Sequence, residues 1–366
     1  MFSARQKDLR LQRFTRFTGP MSSSVPSPLA IVIPTMGRSI LLRTLDSLLL
    51  NPGIERCEIV VVGVIPDQEV AQALARKVTA HPFIRHLSIR YEKGDASLKR
   101  NTGAAETCAP ILAFLDDDVH VPPTWLDAMC RCFDDPSVAL VSGPSLVPDD
   151  IPPLARLAGM ALSSRAAGDV SLRYLGGGDE PRAIKWSGII GCNMLFRRCV
   201  FEQLGGFDPE FYPGEEMKAS YLTSRMGYQL LFNPKAPVYH YPKQTFRGFW
   251  RQIYRYGATR IRLIRAGVEV EWGPLVPGVW LLSLVVLGAA SVVSDWAWRL
   301  LVLELALYAM VIVWFTLEVV RQTRRAIDLL LVFMQPFMHL SYGVGIWTEL
   351  FRPDKDLSDQ LGKPTD

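Results

Sequence analysis

Hydrophobicity is unevenly distributed along this chain, and that asymmetry limits its possible folds more than any other feature. Apolar residues make up 49% of the 366 positions and mean hydropathy is +0.15, with the excess collected after residue 272. Leu275–Val293 carries no charge and reaches the ~20 residues a helix needs to cross a bilayer. Leu300–Val320 is as long but contains Glu304 and Glu318, and Ala326–Leu350 contains Asp328, Pro336 and His339. Trp272, Trp296, Trp298 and Trp347 lie near the segment ends, as an aromatic belt would. Arg321, Arg324 and Arg325 separate the second and third segments, so positive-inside bias puts that loop in the cytoplasm, and the N-terminal part with it. The third segment either crosses or is re-entrant around Pro336.

The chain before these segments reads as a domain of alternating strands and helices. Leu29–Ile33 is a short buried strand stopped by Pro34, and Ile40–Leu50 has helical periodicity ending at Asn51-Pro52-Gly53. A strand at Glu58–Val62, a helix at Gln68–Thr79, a strand at His86–Tyr91, a helix at Ala96–Thr107 and a strand at Ile111–Leu115 follow. Such alternation predicts an α/β fold with a doubly wound, mostly parallel, Rossmann-like sheet. Leu140–Gly143 and Asn193–Arg197 are further strand candidates, residues 144–185 read as irregular, and residues 217–228 read as helical. Phe246, Trp250, Ile253, Gly257, Ile261 and Ile264 recur at spacings of three and four, with arginines on most of the other face. That pattern is a basic amphipathic helix, suited either to a membrane interface or to packing on the domain. The implied division is a basic segment and linker (1–28), a catalytic domain (29–245), an interface helix (246–270), a transmembrane region of about three helices (271–350) and a tail (351–366).

Charge narrows the partners. The net charge is only +4, but residues 1–20 carry five basic side chains against Asp8, and residues 247–265 carry six arginines and no acid. Beside membrane segments, these stretches suit anionic lipid headgroups or substrate phosphates. No nucleic-acid-binding motif is present, so nucleic acid is not expected as a partner. Cys57, Cys108, Cys130, Cys132, Cys192 and Cys199 contain no C-x-x-C pair and read as reduced, structural cysteines. The Arg-rich start has no apolar core and does not read as a secretory signal.

Asp116-Asp117-Asp118 directly follows the apolar run Ile111–Leu115. The triplet therefore leaves the C-terminal end of a strand, where open α/β sheets bind ligands. Three carboxylates in one place repel, and Mg²⁺ or Mn²⁺ would relieve that repulsion. A solvated acidic turn is the plainer alternative.

Taken in order, several segments resemble a known family. They are Leu29-Ala30-Ile31-Val32-Ile33-Pro34-Thr35, Lys99-Arg100-Asn101-Thr102-Gly103, Phe114-Leu115-Asp116-Asp117-Asp118, Leu204-Gly205-Gly206-Phe207-Asp208, Gly214-Glu215-Glu216 and Gln252-Ile253-Tyr254-Arg255-Tyr256. Over residues 29–260 the chain resembles the inverting family 2 glycosyltransferases of GT-A fold. The tail from His339 to Gly345 resembles membrane-anchored exopolysaccharide enzymes of the succinoglycan type.

The resemblance implies a donor site at Pro34, Thr35, Arg38, Arg100, Asp116 and Asp117, with Asp116 near the nucleoside. It implies a metal site at Asp118, which His240 completes in some relatives; a capped loop histidine is the alternative for His240. Glu216 takes the place of the base, with Glu215 beside it, where the motif usually reads Glu-Asp; acids favoured at a helix N-terminus are the plainer reading. Gln252, Arg255 and Tyr256 approximate the Gln-x-x-Arg-Trp motif that closes the diphosphate and acceptor site in membrane polysaccharide synthases, and begin 36 residues after Glu216. The second strand lacks the acid that reads the nucleobase in many relatives and ends Val62-Gly63-Val64-Ile65-Pro66, leaving Asp67 as a candidate.

The implied enzyme is a metal-dependent inverting glycosyltransferase of the inner membrane. It would carry sugar from a nucleotide-diphosphate donor to a hydroxyl of a lipid-linked acceptor of polyprenyl-diphosphate-sugar type, with its catalytic domain facing the cytoplasm. A polyprenyl-phosphate glycosyltransferase, a processive synthase and a non-catalytic binding scaffold are the alternatives.

Overall fold

The structure, a computed structural model, describes residues 28–90 and 96–352. The basic N-terminal segment with its linker, and the tail beyond Arg352, lie outside the described residues.

Eleven strands are described: β1 (Leu29–Pro34), β2 (Glu58–Val62), β3 (Ile84–Leu87), β4 (Ile111–Leu115), β5 (Val119–His120), β6 (Val138–Ser142), β7 (Ser145–Leu146), β8 (Arg182–Ala183), β9 (Asn193–Arg197), β10 (Gln229–Phe232) and β11 (Val238–His240). The helices are α1 (Ile40–Leu49), α2 (Gln68–Ala80), α3 (Ala96–Ala105), α4 (Trp125–Arg131), α5 (Pro153–Ser163), α6 (Arg198–Gln203), α7 (Glu215–Arg225), α8 (Phe246–Arg265), α9 (Val276–Ala290), α10 (Asp295–Thr323) and α11 (Leu331–Leu350).

Eight strands form the main sheet in the order β3-β2-β1-β4-β9-β6-β10-β8. β1 lies between β2 and β4, all parallel, with Val32 opposite Val60 and Phe114. β9 runs antiparallel between β4 and β6, so the sheet is mixed rather than purely parallel. The central strands are unbroken apolar runs because both faces of the sheet are covered. One face packs Ile31, Ile33 and Leu115 against Leu41, Leu45 and Trp125. The other packs Phe114, Phe196, Phe201 and Phe207 as an aromatic cluster with neighbouring ring centroids 5.0–6.2 Å apart.

A second sheet, β5-β11-β7, lies beyond the C-terminal end of β4. It pairs His240 with Val119, the residue after the aspartate triplet, so a short ladder carries His240 to that edge across more than a hundred residues of sequence.

Three expectations are corrected. β3 occupies residues 84–87 rather than 86–91, because its register against β2 pairs Ile84 with Ile59 and Leu87 with Val62; Tyr91 lies outside the described residues. The stretch expected to be irregular holds α5 and a 3₁₀ stretch, Arg165–Arg173; Pro152 directly precedes the helix and Pro153 opens it, a position where proline costs nothing. α7 begins at Glu215 rather than 217, after Gly214 in a left-handed conformation (φ 113°).

Among the described residues, three segments are long and apolar enough to cross a membrane: Gly273–Ala290, Asp295–Thr323 and Ala326–Leu350. α11 continues through Pro336. The apolar face of α8, one of whose expected settings was a membrane interface, is largely covered by protein, with Phe246 at its start left exposed. Phe249 and Ile253 are buried in the core that also holds Leu331, Met334 and Met338 of α11 or its start. α8 and α11 approach so closely that a Cβ on Gly257 or Gly345 would overlap the carbonyl oxygens of Tyr342 and Tyr254 respectively.

Candidate active site

Every candidate residue except Asp67, thirteen in all, lines one cavity of about 1180 Å³ at the C-terminal edge of β1 and β4. β4 ends at Leu115, and the three aspartates take separate directions as the chain turns into β5.

Asp116 is partly exposed, and its Oδ1 accepts a hydrogen bond of 2.6 Å from Nη2 of Arg100. Asp117 is buried, and its Oδ2 accepts from Thr35 Oγ1 (2.6 Å) and the Met36 amide (3.2 Å). Its other oxygen pairs with Arg38, so Asp117, expected to face the donor, is committed to fastening the loop after β1. Asp118 is buried, with Oδ2 2.9 Å from Arg38 Nη2 and Oδ1 3.1 Å from His240 Nε2.

Ligand atoms of Asp116, Asp118 and His240 all lie within 4.8 Å of one another. Two carboxylates and one imidazole are an oxygen-rich donor set of the kind that suits Mg²⁺ or Mn²⁺, with the nitrogen better tolerated by Mn²⁺. Burial alone would raise the Asp118 carboxyl, but His240, with Arg38 and Lys243, holds it well below the ordinary carboxylate range. Burial opposes the charge on His240, yet Asp118 outweighs it and raises that imidazole. Asp117 moves upward because burial exceeds the pull of Arg38.

The two glutamates of α7 also part company. Successive positions on a helix point ~100° apart, so one turns inward and the other faces the cavity. Glu215 is buried, pairs with Nη1 of Arg100 and accepts a 3.0 Å bond from the Gly214 amide. Burial raises its carboxyl and Arg100 pulls it back. Glu216 is half-buried; its carbonyl accepts from Ser220 Oγ at 2.6 Å, while its carboxylate makes no hydrogen bond or salt bridge among the described residues. Gly191 lies against it, since a Cβ there would sit 3.5 Å from Glu216 Cγ. Arg100 thus links the aspartate triplet to α7 through Asp116 and Glu215.

Gln252 and Tyr256 lie one turn apart on α8, with Gln252 Nε2 donating to Tyr256 Oη at 3.0 Å. Burial pushes the Tyr256 hydroxyl up to about 12. Arg255 is exposed at the cavity rim. Asp67, the candidate nucleobase reader, caps α2 instead: its Oδ1 accepts from the Glu69 and Val70 amides at 2.9 and 3.0 Å.

The cavity also contains residues the sequence reading passed over. Lys99 Nζ donates to the Thr35 carbonyl at 2.7 Å, and Lys99 lay inside a quoted motif, which was a usable signal. Arg173, Gly191, Tyr212 and Lys243 carried no motif, and Arg260 stood out only as one of the six arginines of residues 247–265. From the triplet the cavity runs past Glu216 to Val276, Trp280, Ile312 and Phe315 on α9 and α10, so one end is charged and the other apolar.

Comparison with known proteins agrees with this arrangement. The pre-mycofactocin glycosyltransferases of two Mycobacterium tuberculosis strains are each 30% identical to the chain over 184 residues, which is 50% of this chain and 37% of theirs. The O-antigen biosynthesis protein RfbC of Myxococcus xanthus is 24% identical over 237 residues, 60% of this chain and 18% of that protein. The chain therefore spans well under half the length of these relatives. The mannosyltransferase PcManGT of Pyrobaculum calidifontis, solved in complex with GDP-Man and Mn²⁺, superimposes with a TM-score of 0.58 at 17% identity, covering 94% of both chains, which establishes the GT-A architecture. The model of glycosyl transferase family group 2 matches residues 111–323, more than half of the chain and nearly all of the cavity's walls beyond β1 and α3; the chain belongs to that family.

Proposed function

We propose that this protein is a membrane-bound, metal-dependent inverting glycosyltransferase that moves a sugar from a nucleotide-diphosphate donor to a hydroxyl on a lipid-linked acceptor. The observation that carries the proposal is the single cavity joining a carboxylate–imidazole cluster, an unpartnered glutamate and an apolar groove between helices. The names of the similar proteins support transfer from a nucleotide sugar and a role in building surface or modified glycans.

Asp116, Asp118 and His240 would hold the ion, which when bound neutralises charge on the departing diphosphate. The rest falls to the protein's own groups. Asp117, Thr35 and Arg38 fix the loop beneath the nucleotide. Arg100 bridges Asp116 to Glu215 and sets the distance between donor and α7. Glu216 accepts the proton of the acceptor hydroxyl as that oxygen attacks the anomeric carbon, which inverts the centre. Gln252, Arg255 and Tyr256 close the side from which the acceptor enters.

Membrane placement follows from charge. Arg325, in the basic loop after α10, pairs with Asp149 of the catalytic body at 2.7 Å. Positive-inside bias assigns that loop, and the catalytic body with it, to the cytoplasmic face.

The test is sugar transfer from a panel of nucleotide sugars to membrane lipid extract, with and without Mn²⁺. Glu216→Gln should lower turnover by about 10²–10⁴-fold, the range of general-base catalysis, while nucleotide binding persists. Near-native turnover in Glu216→Gln would remove the base assignment and favour an acceptor that is itself an anion, as a polyprenyl phosphate is.

A further inference from the structure

Between Glu216 and the apolar groove the cavity wall carries two buried arginines that the mechanism above does not use. Arg173 ends the 3₁₀ stretch Arg165–Arg173, and Arg260 lies on α8; each is 8% exposed and both line the cavity. Arg173 donates through Nε to the Ser187 carbonyl at 2.7 Å, and through Nη2 to the same oxygen. It makes no salt bridge among the described residues. Arg260 donates to Tyr342 Oη at 3.2 Å and lies 3.5 Å from one carboxylate, Glu271, which also accepts a 2.7 Å bond from Ser187 Oγ. The two guanidinium groups repel: burial lowers the pKa of Arg173, and Arg260 lowers it further.

Glu271 is the one carboxylate that pairs with either cation among the described residues; Glu216 also acts on Arg173 but makes no salt bridge with it, so the charge of the guanidinium donors is only partly matched at this point of the wall. Burying such charge is costly unless an anion completes it. Guanidinium groups suit phosphate oxygens in particular, because their fork of donors matches the tetrahedral face. On the far side the lining changes character, with Val276, Pro277, Trp280, Val311, Ile312 and Phe315 forming an apolar groove. An anion with an apolar tail fits this sequence of surfaces, whereas a free anion would leave the groove unused.

We propose that Arg173 and Arg260 bind the phosphate of the lipid acceptor, seated between Glu216 and the groove of α9 and α10. The inference rests on the lipid-acceptor reading above, but its test does not depend on sugar transfer. Full-length protein in nanodiscs, with EDTA present to weaken diphosphate binding at Asp118 and His240, is titrated with farnesyl phosphate, farnesol and inorganic phosphate. The wild type should bind farnesyl phosphate at least about tenfold more tightly than farnesol, the scale of a buried charge-assisted contact. Arg173→Gln and Arg260→Gln should each erase that preference with farnesol affinity unchanged, which also reports that the groove is folded. Arg260→Lys should retain most of it. A wild type that does not prefer the phosphate, or a preference surviving in both glutamine variants, overturns the proposal. Inorganic phosphate binding as tightly as farnesyl phosphate would make this a free-phosphate site and remove the lipid. Should Arg173→Gln lose farnesol binding as well, Arg260→Gln decides the matter. A wild type that transfers sugar but lacks the preference would count against this site alone; a wild type that shows the preference but transfers no sugar would count against the enzymatic reading alone.

Discussion

The α9–α10 pair and α11 have similar composition and different surroundings. All three are apolar enough to cross a bilayer, yet only 6% and 11% of the most apolar windows of the first two segments are buried, against 44% for the third. α9 and α10 present Val279, Val285, Leu303, Met310 and Trp314 outward. α11 buries Leu331, Met334, Met338 and Ile346, and polar groups are held at both of its ends. Just before its start, Asp328 is wholly buried and receives Nε and Nη2 of Arg156 on α5 at 3.0 and 2.7 Å. At its other end, Glu349 is bonded by Nε and Nη2 of Arg262 on α8 at 3.0 and 3.2 Å. A 20-residue helix is ~30 Å long, and one whose two ends are fastened to the same body runs along that body. Hydropathy registers the lack of charge in a segment and is blind to what covers it.

The largest effect that would break this contrast is topological. Val292, in the turn between α9 and α10, and Phe351, after α11, are 83% and 77% exposed. Single-cysteine proteins carrying Val292→Cys, Phe351→Cys or only the native, exposed Cys199 can be labelled with a membrane-impermeant maleimide from either side of sealed vesicles. The Phe351→Cys protein should label from the same side as Cys199, and the Val292→Cys protein from the opposite side, in each case nearly all or none. If Phe351→Cys labels with Val292→Cys, α11 crosses the membrane and its likeness to α10 is restored.

Next in size is Arg156→Ala. It leaves Asp328 buried with Thr323 Oγ1 as its remaining side-chain partner, at 2.6 Å. Stranding a buried charge costs about 3–5 kcal/mol, read as a lowered midpoint of thermal unfolding in detergent. The double variant Arg156→Leu with Asp328→Leu should recover most of that loss, because no charge is left to solvate. A loss no greater than ~0.5 kcal/mol, the ordinary range for surface substitutions, would mean that this end of α11 is wet and loosely held.

The same contrast explains which parts of the molecule could be read from sequence. β1, β2 and β4 were legible because both their faces are buried and each is a continuous apolar run. The antiparallel direction of β9 was not, since a strand's residues do not encode which neighbours it joins. α5 was hidden by the prolines at its start. The candidate site residues, all but Asp67, meet in one cavity, because motif order along the chain reflects the order of strand ends around it. Their division of labour was less accessible. Asp117 turns inward through bonds to Thr35 and Arg38, more than seventy residues earlier in the chain. Glu215 and Glu216 are separated by helix phase and by Arg100, not by residue type. Asp67 carried an ordinary capping signal, an aspartate directly before a helix, and the structure uses it so. Arg173 looks in sequence like any surface arginine, and Arg260 like the other five of its basic stretch; burial is what distinguishes them.

The finest test applies one chemical change to both regions. A Cβ at Gly345 of α11 would overlap the carbonyl of Tyr254 on α8, with the amide of Ala258 3.1 Å away. Those atoms are backbone and cannot rotate aside, so Gly345→Ala must push two helices apart and should cost about 1–3 kcal/mol, the usual range for overpacking. Gly288, in α9, has nothing within 4 Å of the added carbon. Gly288→Ala meets no obstacle and removes backbone freedom from the unfolded chain, so it should be neutral or stabilise the helix by up to about 1 kcal/mol. Thermal unfolding of the two variants in one detergent gives the comparison directly. Equal and small effects would mean that α11 stands away from α8, and that the close approach through Gly257 and Gly345 is not what holds it against the catalytic body.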